Sequence, residues 1–136
     1  MVHALLEHSG PRRPLWLEEG FAEYVGYRGT GIPVNVAVSD VVTRLRHGGH
    51  VVDIPAAADF TGPRIALAYE QAYLACLEVA AAAGQSGLVR LYRLTQAGSG
   101  TPQENVAHAV RVVTGLSWKD FVAAVHHRSA RVAGHR

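Results

Sequence analysis

The residues of this chain best suited to chemistry are two carboxylates within the apolar run from Trp16 to Val25. Glu19 and Glu23 stand one helical turn apart, so on a helix they share a face. A short connector leads back from them to His3. Zinc sites use imidazole nitrogens and carboxylate oxygens, and hydrolytic ones keep a position for water. A histidine ending one helix and facing a glutamate on the next therefore provides half of such a site.

The elements that must position these residues are predicted to be helices. Residues 2–7 have the pattern of a helix end, and residues 14–27 form the next helix, with Pro14 in its tolerated first turn. Apolar residues at helical spacing, bounded by Gly and Pro, predict further helices over residues 33–46, 64–83 and 87–95. Residues 48–63 are expected to form a loop.

Capping patterns mark the start of the last two helices. Thr101-Pro102-Gln103-Glu104 is a capping box that Gly115 closes downstream, and Ser117-Trp118-Lys119-Asp120 begins the final helix in a similar way. The sequence thus predicts an all-α array of about six helices. Residues 1–136 are expected to form one domain or part of one, and residues 128–136 to form a disordered polar tail.

Composition narrows the function classes. The chain has a net charge of +2, and its arginines are scattered along the sequence, which argues against a nucleic-acid interface. No apolar stretch reaches the roughly 20 residues needed to span a bilayer, and the first ten residues lack the basic start of a signal peptide. The single cysteine, Cys76, excludes an internal disulfide and is expected to be a buried structural thiol.

The run Trp16-Leu17-Glu18-Glu19-Gly20-Phe21-Ala22 resembles the W-L-x-E-G-F-A motif of the gluzincin zinc metallopeptidases, meaning the M1-type aminopeptidases and the peptidase-MA-like bacterial proteins. The resemblance implies that Glu19 is the glutamate ligand of zinc and that Glu23 braces a ligand histidine. It also implies that His3 is the second histidine of the HExxH motif. The first histidine and the general-base glutamate are then expected directly before Met1.

A second resemblance lies about fifty residues downstream, a spacing typical of the M1-type enzymes. Ala68-Tyr69-Glu70-Gln71-Ala72 is similar to the Y-E-x-G/A segment that opens a long helix in those enzymes. The tyrosine of that segment donates a hydrogen bond to the oxyanion of the tetrahedral intermediate. The resemblance implies this catalytic role for Tyr69, and it extends over roughly residues 1–125.

The chain departs from the family pattern at the HExxH motif, which is incomplete. Fifteen residues separate His3 from Glu19, a shorter spacing than is usual in M1-type enzymes. The upstream exopeptidase motif is also absent. We therefore expect a zinc peptidase by family, acting on peptides or proteins when complete, whereas the chain as given binds zinc weakly and hydrolyses peptides negligibly.

Other interpretations of the same residues remain open. Glu19 and Glu23 could be an ordinary solvated pair, Tyr69 a core tyrosine with a satisfied hydroxyl, and His8 a substitute ligand. At the level of the whole chain, the alternative is a non-catalytic helical module, derived from the peptidase fold, that binds peptides or acts as a scaffold. A basic partner-binding protein is a third possibility, which would require binding to polyanions at moderate salt.

Overall fold

The computed structural model of the chain describes residues 11–134. Helices α1 (Leu15–Tyr27), α2 (Val34–Ala37), α3 (Ser39–Arg46), α4 (Ile65–Ala97), α5 (Pro102–Thr114) and α6 (Trp118–Val132) lie within them, and a short 3-10 helix spans Ala57–Phe60. These described residues contain no strand, so the predicted all-α class is confirmed.

The long helix α4 lies at the centre of the array. Helices α1, α3, α5 and α6 and the 3-10 helix all pack against it, and its side chains Leu74, Cys76 and Leu88 are fully buried. The prediction of a buried structural thiol at Cys76 is confirmed, and burial raises the pKa of this thiol. An apolar helix surrounded by others is the expected solution when one helix is hydrophobic on most of its faces.

Gly84 interrupts α4. Its φ of 77° and ψ of 172° are not helical, and a positive φ is accessible to glycine without the steric cost that other residues pay. The helix therefore consists of an N-terminal segment, residues 65–83, and a C-terminal segment, residues 85–97. The sequence predicted a break at this glycine, and the structure confirms its position.

The predicted single helix over residues 33–46 is wrong, because the chain breaks at Val38 into α2 and α3. Val38 has φ −111° and ψ 39°, and its side chain is fully buried. The break creates a new helix start whose backbone N–H groups need partners. Glu70 of α4 supplies one, since its Oε1 accepts a hydrogen bond from the Val41 N–H at 2.9 Å.

The predicted disordered tail is wrong for residues 128–133, because α6 continues to Val132. Arg128 Nε donates to Glu78 Oε1 at 2.9 Å, and Ser129 Oγ donates to Gln71 Oε1 at 3.1 Å in the interior. These bonds attach the last turns of α6 to α4. Residues 135 and 136 lie outside the described residues.

By length and composition alone, α4 could cross a membrane. Its most apolar window has a mean hydropathy of 1.3 and is 39% buried within the protein, which corrects the expectation that no such stretch exists. A mostly buried core helix passes the same test, and the packing of four helices around α4 accounts for the buried part of its apolar surface. The absence of a membrane segment stays a prediction.

The crossing of α1 and α4 is unusually close at Gly20. A Cβ built on Gly20 would lie 2.4 Å from the Ala72 carbonyl oxygen and 2.9 Å from Cys76 Sγ. Gly20 is buried, and the partner at the shortest distance is backbone, which cannot rotate away. A side chain at this position would therefore push the two helices apart.

We predict that Gly20→Ala lowers the free energy of unfolding by about 1–3 kcal/mol, because the added methyl group overpacks the crossing. Gly26→Ala in the same helix is the matched control, since a Cβ there meets nothing within 4 Å. The control should be neutral or raise stability by up to about 1 kcal/mol through its better helix propensity. Urea unfolding of both variants tests this, and equal effects at the two glycines would contradict the close crossing.

Candidate functional site

Helix α1 presents Glu19 and Glu23 on the flank of its crossing with α4. Leu17 and Gly20 face α4 and are buried, while both carboxylates are partly exposed. Burial raises the pKa of Glu23, and the charge of Glu19 raises it further. The structure therefore brings these two predicted residues together as like charges, an arrangement that favours either a proton or a cation between them.

Tyr73 of α4 lies near enough to Glu23 for the charge of that carboxylate to affect its pKa. The pKa of its phenol is raised by burial first, and then by Tyr27, Tyr24 and Glu23. Its ring lies 5.0 Å from the Tyr27 ring, measured between centroids. Tyr73 was not among the predicted site residues, although its position one turn after Tyr69 is a usable signal.

Tyr69 lies one turn before Tyr73 and is partly buried. Its ring packs edge-on against Phe60 of the 3-10 helix, with 5.3 Å between centroids. Residues one turn apart share a helix face, so Tyr69 belongs to the same side of α4 as Tyr73. This contact positions the Tyr69 ring, whereas its proposed oxyanion role stays a prediction.

Glu18 is the third carboxylate of this run, and although its side chain is 40% exposed, it is bonded to two other side chains. Its Oε1 accepts a hydrogen bond from Arg13 Nη1 at 3.1 Å, and its Oε2 accepts one from the Tyr92 hydroxyl at 2.6 Å. The Arg13 guanidinium lies 3.6 Å from the centre of the Tyr92 ring, and its Nε donates to the Tyr92 carbonyl. Glu18 thus fixes α1 to the C-terminal segment of α4, whereas Glu19 and Glu23 have no such bonds among the described residues.

The zinc site that the resemblance implies is only partly represented in residues 11–134. Within this range no group of three or more His, Cys, Asp or Glu side chains could hold a metal ion. Glu19 and Glu23 supply oxygen donors, whereas His3 and His8 lie outside the described residues. The described residues alone therefore do not fit a complete zinc site.

The two residues after Tyr69 hold neighbouring elements in place. Gln71 is 1% exposed, donates to the Asp53 carbonyl at 3.2 Å and accepts from Ser129. It thereby connects the 48–63 loop, α4 and α6. The Asp53 carboxylate is in turn 3.0 Å from His126 Nδ1, which fastens the loop to the outside of α6.

Glu70 forms a structural hydrogen bond, and its carboxyl is an unusually weak acid. Burial raises the pKa of its carboxyl to about 7. The Val41 N–H favours the charged form and opposes this shift, whereas the charge of Asp40 adds to it. Burial is the largest of these influences, so the carboxyl that caps α3 takes up a proton near neutral pH.

We predict that the contribution of Glu70 to the free energy of unfolding falls as the pH rises from about 4.5 to about 7. Between these values the folded chain keeps a proton on Glu70 that the unfolded chain has released, so raising the pH favours unfolding. Glu70→Gln should remove this part of the pH dependence in urea unfolding across the window.

Glu104→Gln is the control for that experiment. Hydrogen bonds with Thr101 lower the pKa of Glu104. Glu104 therefore affects stability only at a pH below the Glu70 window, and its replacement should leave the pH dependence inside that window unchanged. A Glu70→Gln variant that keeps the full slope would contradict the assignment to Glu70.

Comparison of the chain with protein-family models, with curated proteins and with solved structures finds no match. The gluzincin relationship therefore depends on the motif residues around Glu19 and Tyr69. It stays a prediction, and the zinc site and the peptidase activity that it implies are proposals.

Proposed function

We propose that this chain carries two parts of a gluzincin-type zinc peptidase that acts on peptides or proteins. The first is the glutamate-ligand helix, α1, and the second is the tyrosine-bearing segment of α4. Glu19 is assigned as the zinc ligand, and Glu23 as the acidic residue that braces a ligand histidine. The complete site also needs His3 and a preceding His-Glu pair, and the 136 residues contain no such pair.

The observation that carries this proposal is the arrangement of the Trp16–Ala22 run on α1. Four residues of the motif have a physical function in the packing of that helix. Trp16 and Leu17 are buried, Gly20 permits the close crossing, and Phe21 stacks on Tyr92 at 4.2 Å. The motif residues that pack therefore leave Glu19 partly exposed on the flank, where its carboxylate is accessible to an ion.

The raised pKa of Glu23 also supports the proposal. A carboxyl that is partly buried beside Glu19 is destabilised in its charged form. A divalent cation bound between ligands from this helix and from the His3 region would remove that penalty. When bound, zinc would supply the Lewis acidity and the acidified water of this enzyme class.

The second candidate function is a non-catalytic peptide-binding or scaffold module built on the same helices. It would need neither the metal nor the general base, whose loss slows hydrolysis by roughly 10²–10⁴-fold. In this alternative, Glu19 and Glu23 serve as a polar flank and bind no metal. The two candidates differ in whether zinc affinity depends on Glu19.

We predict that a chain extended by His-Glu directly before Met1 binds one zinc ion, measured by isothermal titration and by metal content. Glu19→Gln in that extended chain should lower zinc affinity by at least about 10–100-fold, the range typical even for residues that only support a ligand. Glu18→Gln is the matched control, because the same change on the neighbouring residue affects the Arg13 and Tyr92 contacts.

The control should keep zinc affinity within a factor of about two, as a change outside the metal site has no direct effect on it. Helical content of all variants is compared by circular dichroism, so that unfolding is not mistaken for loss of a ligand. No zinc on the extended chain, or equal losses for the two glutamine variants, would sink the peptidase assignment in favour of the non-catalytic module.

A further inference from the structure

A cavity of about 340 Å³ lies between the 48–63 loop and the first turns of α4, and neither Glu19 nor Glu23 lines it. Its apolar wall is formed by Val51, Val52, Pro55, Leu67 and Ala68. This volume falls within the range of roughly 300–1,000 Å³ that is typical of small-molecule sites. Neither the peptidase proposal nor the module proposal uses this cavity.

Two arginines, Arg44 of α3 and Arg64 before α4, line the same cavity. They also line a more open cavity of about 570 Å³ next to it, so both side chains stand where the two spaces adjoin. The one acidic side chain in the smaller cavity is Asp59, and its Oδ2 accepts a hydrogen bond from the Ala56 N–H at 2.8 Å. The charged lining therefore has an excess of positive charge.

Arg44 is held in place by the loop that forms the cavity. Its Nε donates to the His50 carbonyl at 2.6 Å, and a Cβ built on Gly49 would lie 2.8 Å from Arg44 Cγ. The missing side chain at Gly49 thus admits the arginine stem, and the hydrogen bond fixes its orientation. The terminal nitrogens of Arg44 make no hydrogen bond to any residue in the described range 11–134, so they are available to a ligand.

Gln71 gives this cavity a rigid polar floor. Its side chain lines the cavity and is 1% exposed, and both ends of its amide are engaged, by Asp53 and by Ser129. The cavity thus combines a fixed polar side chain, an apolar wall and two arginines where it adjoins the neighbouring cavity. Such a combination suits an amphipathic anion.

We propose that this cavity binds a small monocarboxylate with an apolar body, such as a medium-chain fatty carboxylate. The carboxylate pairs with Arg44 and Arg64, because a guanidinium matches the two oxygens of a carboxylate with parallel N–H donors. The hydrocarbon body packs against Val51, Pro55 and Leu67. An inorganic anion would leave this apolar wall unused, and an uncharged lipid would leave the arginines unpaired.

Octanoate titrated into the full chain tests the proposal, with binding measured by calorimetry and located by backbone amide NMR shifts. We expect saturable binding with shifts concentrated at Val51, Val52, Leu67 and Ala68. Octanamide, which keeps the body and removes the charge, should bind at least about tenfold more weakly. Acetate and inorganic phosphate, which lack the body, should bind more weakly than octanoate as well.

Arg64→Gln is the principal variant, because Arg64 is exposed and its replacement leaves the Arg44–His50 bond intact. It should weaken octanoate binding by roughly tenfold, the value of one charge-assisted hydrogen bond. Arg93→Gln on the C-terminal segment of α4 is the matched control and should leave binding unchanged, since Arg93 lies outside the cavity.

Several results would overturn the proposal. They are absence of octanoate binding, equal binding of octanamide or phosphate, shifts located elsewhere, and equal effects of the two arginine variants. Neither Glu19 nor Glu23 lines this cavity. The octanoate test is therefore independent of the zinc titration, and either proposal can fail alone.

Discussion

The close crossing of α1 and α4 is the constraint on which the rest of the structure depends. With no side chain at Gly20, the two backbones approach until a Cβ would overlap the Ala72 carbonyl. At that distance, residues on either side of the crossing come into contact, with Phe21 stacked on Tyr92 and Tyr27 against Tyr73. The same geometry turns Glu19 and Glu23 to the flank, so the candidate site depends on a residue that has no functional group.

Buried and half-buried polar side chains hold the smaller elements to this pair of helices. Glu70 caps α3, and Gln71 links the 48–63 loop with α6. Asn105 of α5 donates to the Arg12 and Gly100 carbonyls and accepts from the Gly100 N–H, which closes the turn before α5. Each of these groups is satisfied by bonds to residues of other elements, so each specifies one arrangement of its neighbours.

Features determined by neighbouring residues could be predicted from the sequence, and features determined by distant residues could not. The capping box at Thr101 and the left-handed Gly115 involve only local bonds, and the break at Gly84 follows from one residue. By contrast, the break at Val38 depends on its burial and on Glu70, which is far away in the sequence. The contacts of Glu18 likewise depend on Tyr92, and no local pattern identifies that partner.

The same distinction applies to the candidate site. The spacing of Glu19 and Glu23 predicted a shared face, because one helix carries both residues. The proximity of Glu23 to Tyr73 required knowledge of how α1 lies on α4, and the sequence contains that information only indirectly, through Gly20.

The break at Gly84 has a mechanical consequence for α1. Gly20 rests on the N-terminal segment of α4, whereas Glu18 and Phe21 are attached to Tyr92 in the C-terminal segment. Helix α1 therefore bridges the break in α4, and its contacts with both segments fix the angle between them. Whatever displaces α1, including a ligand drawn to its exposed flank, must also bend the longest helix of the protein.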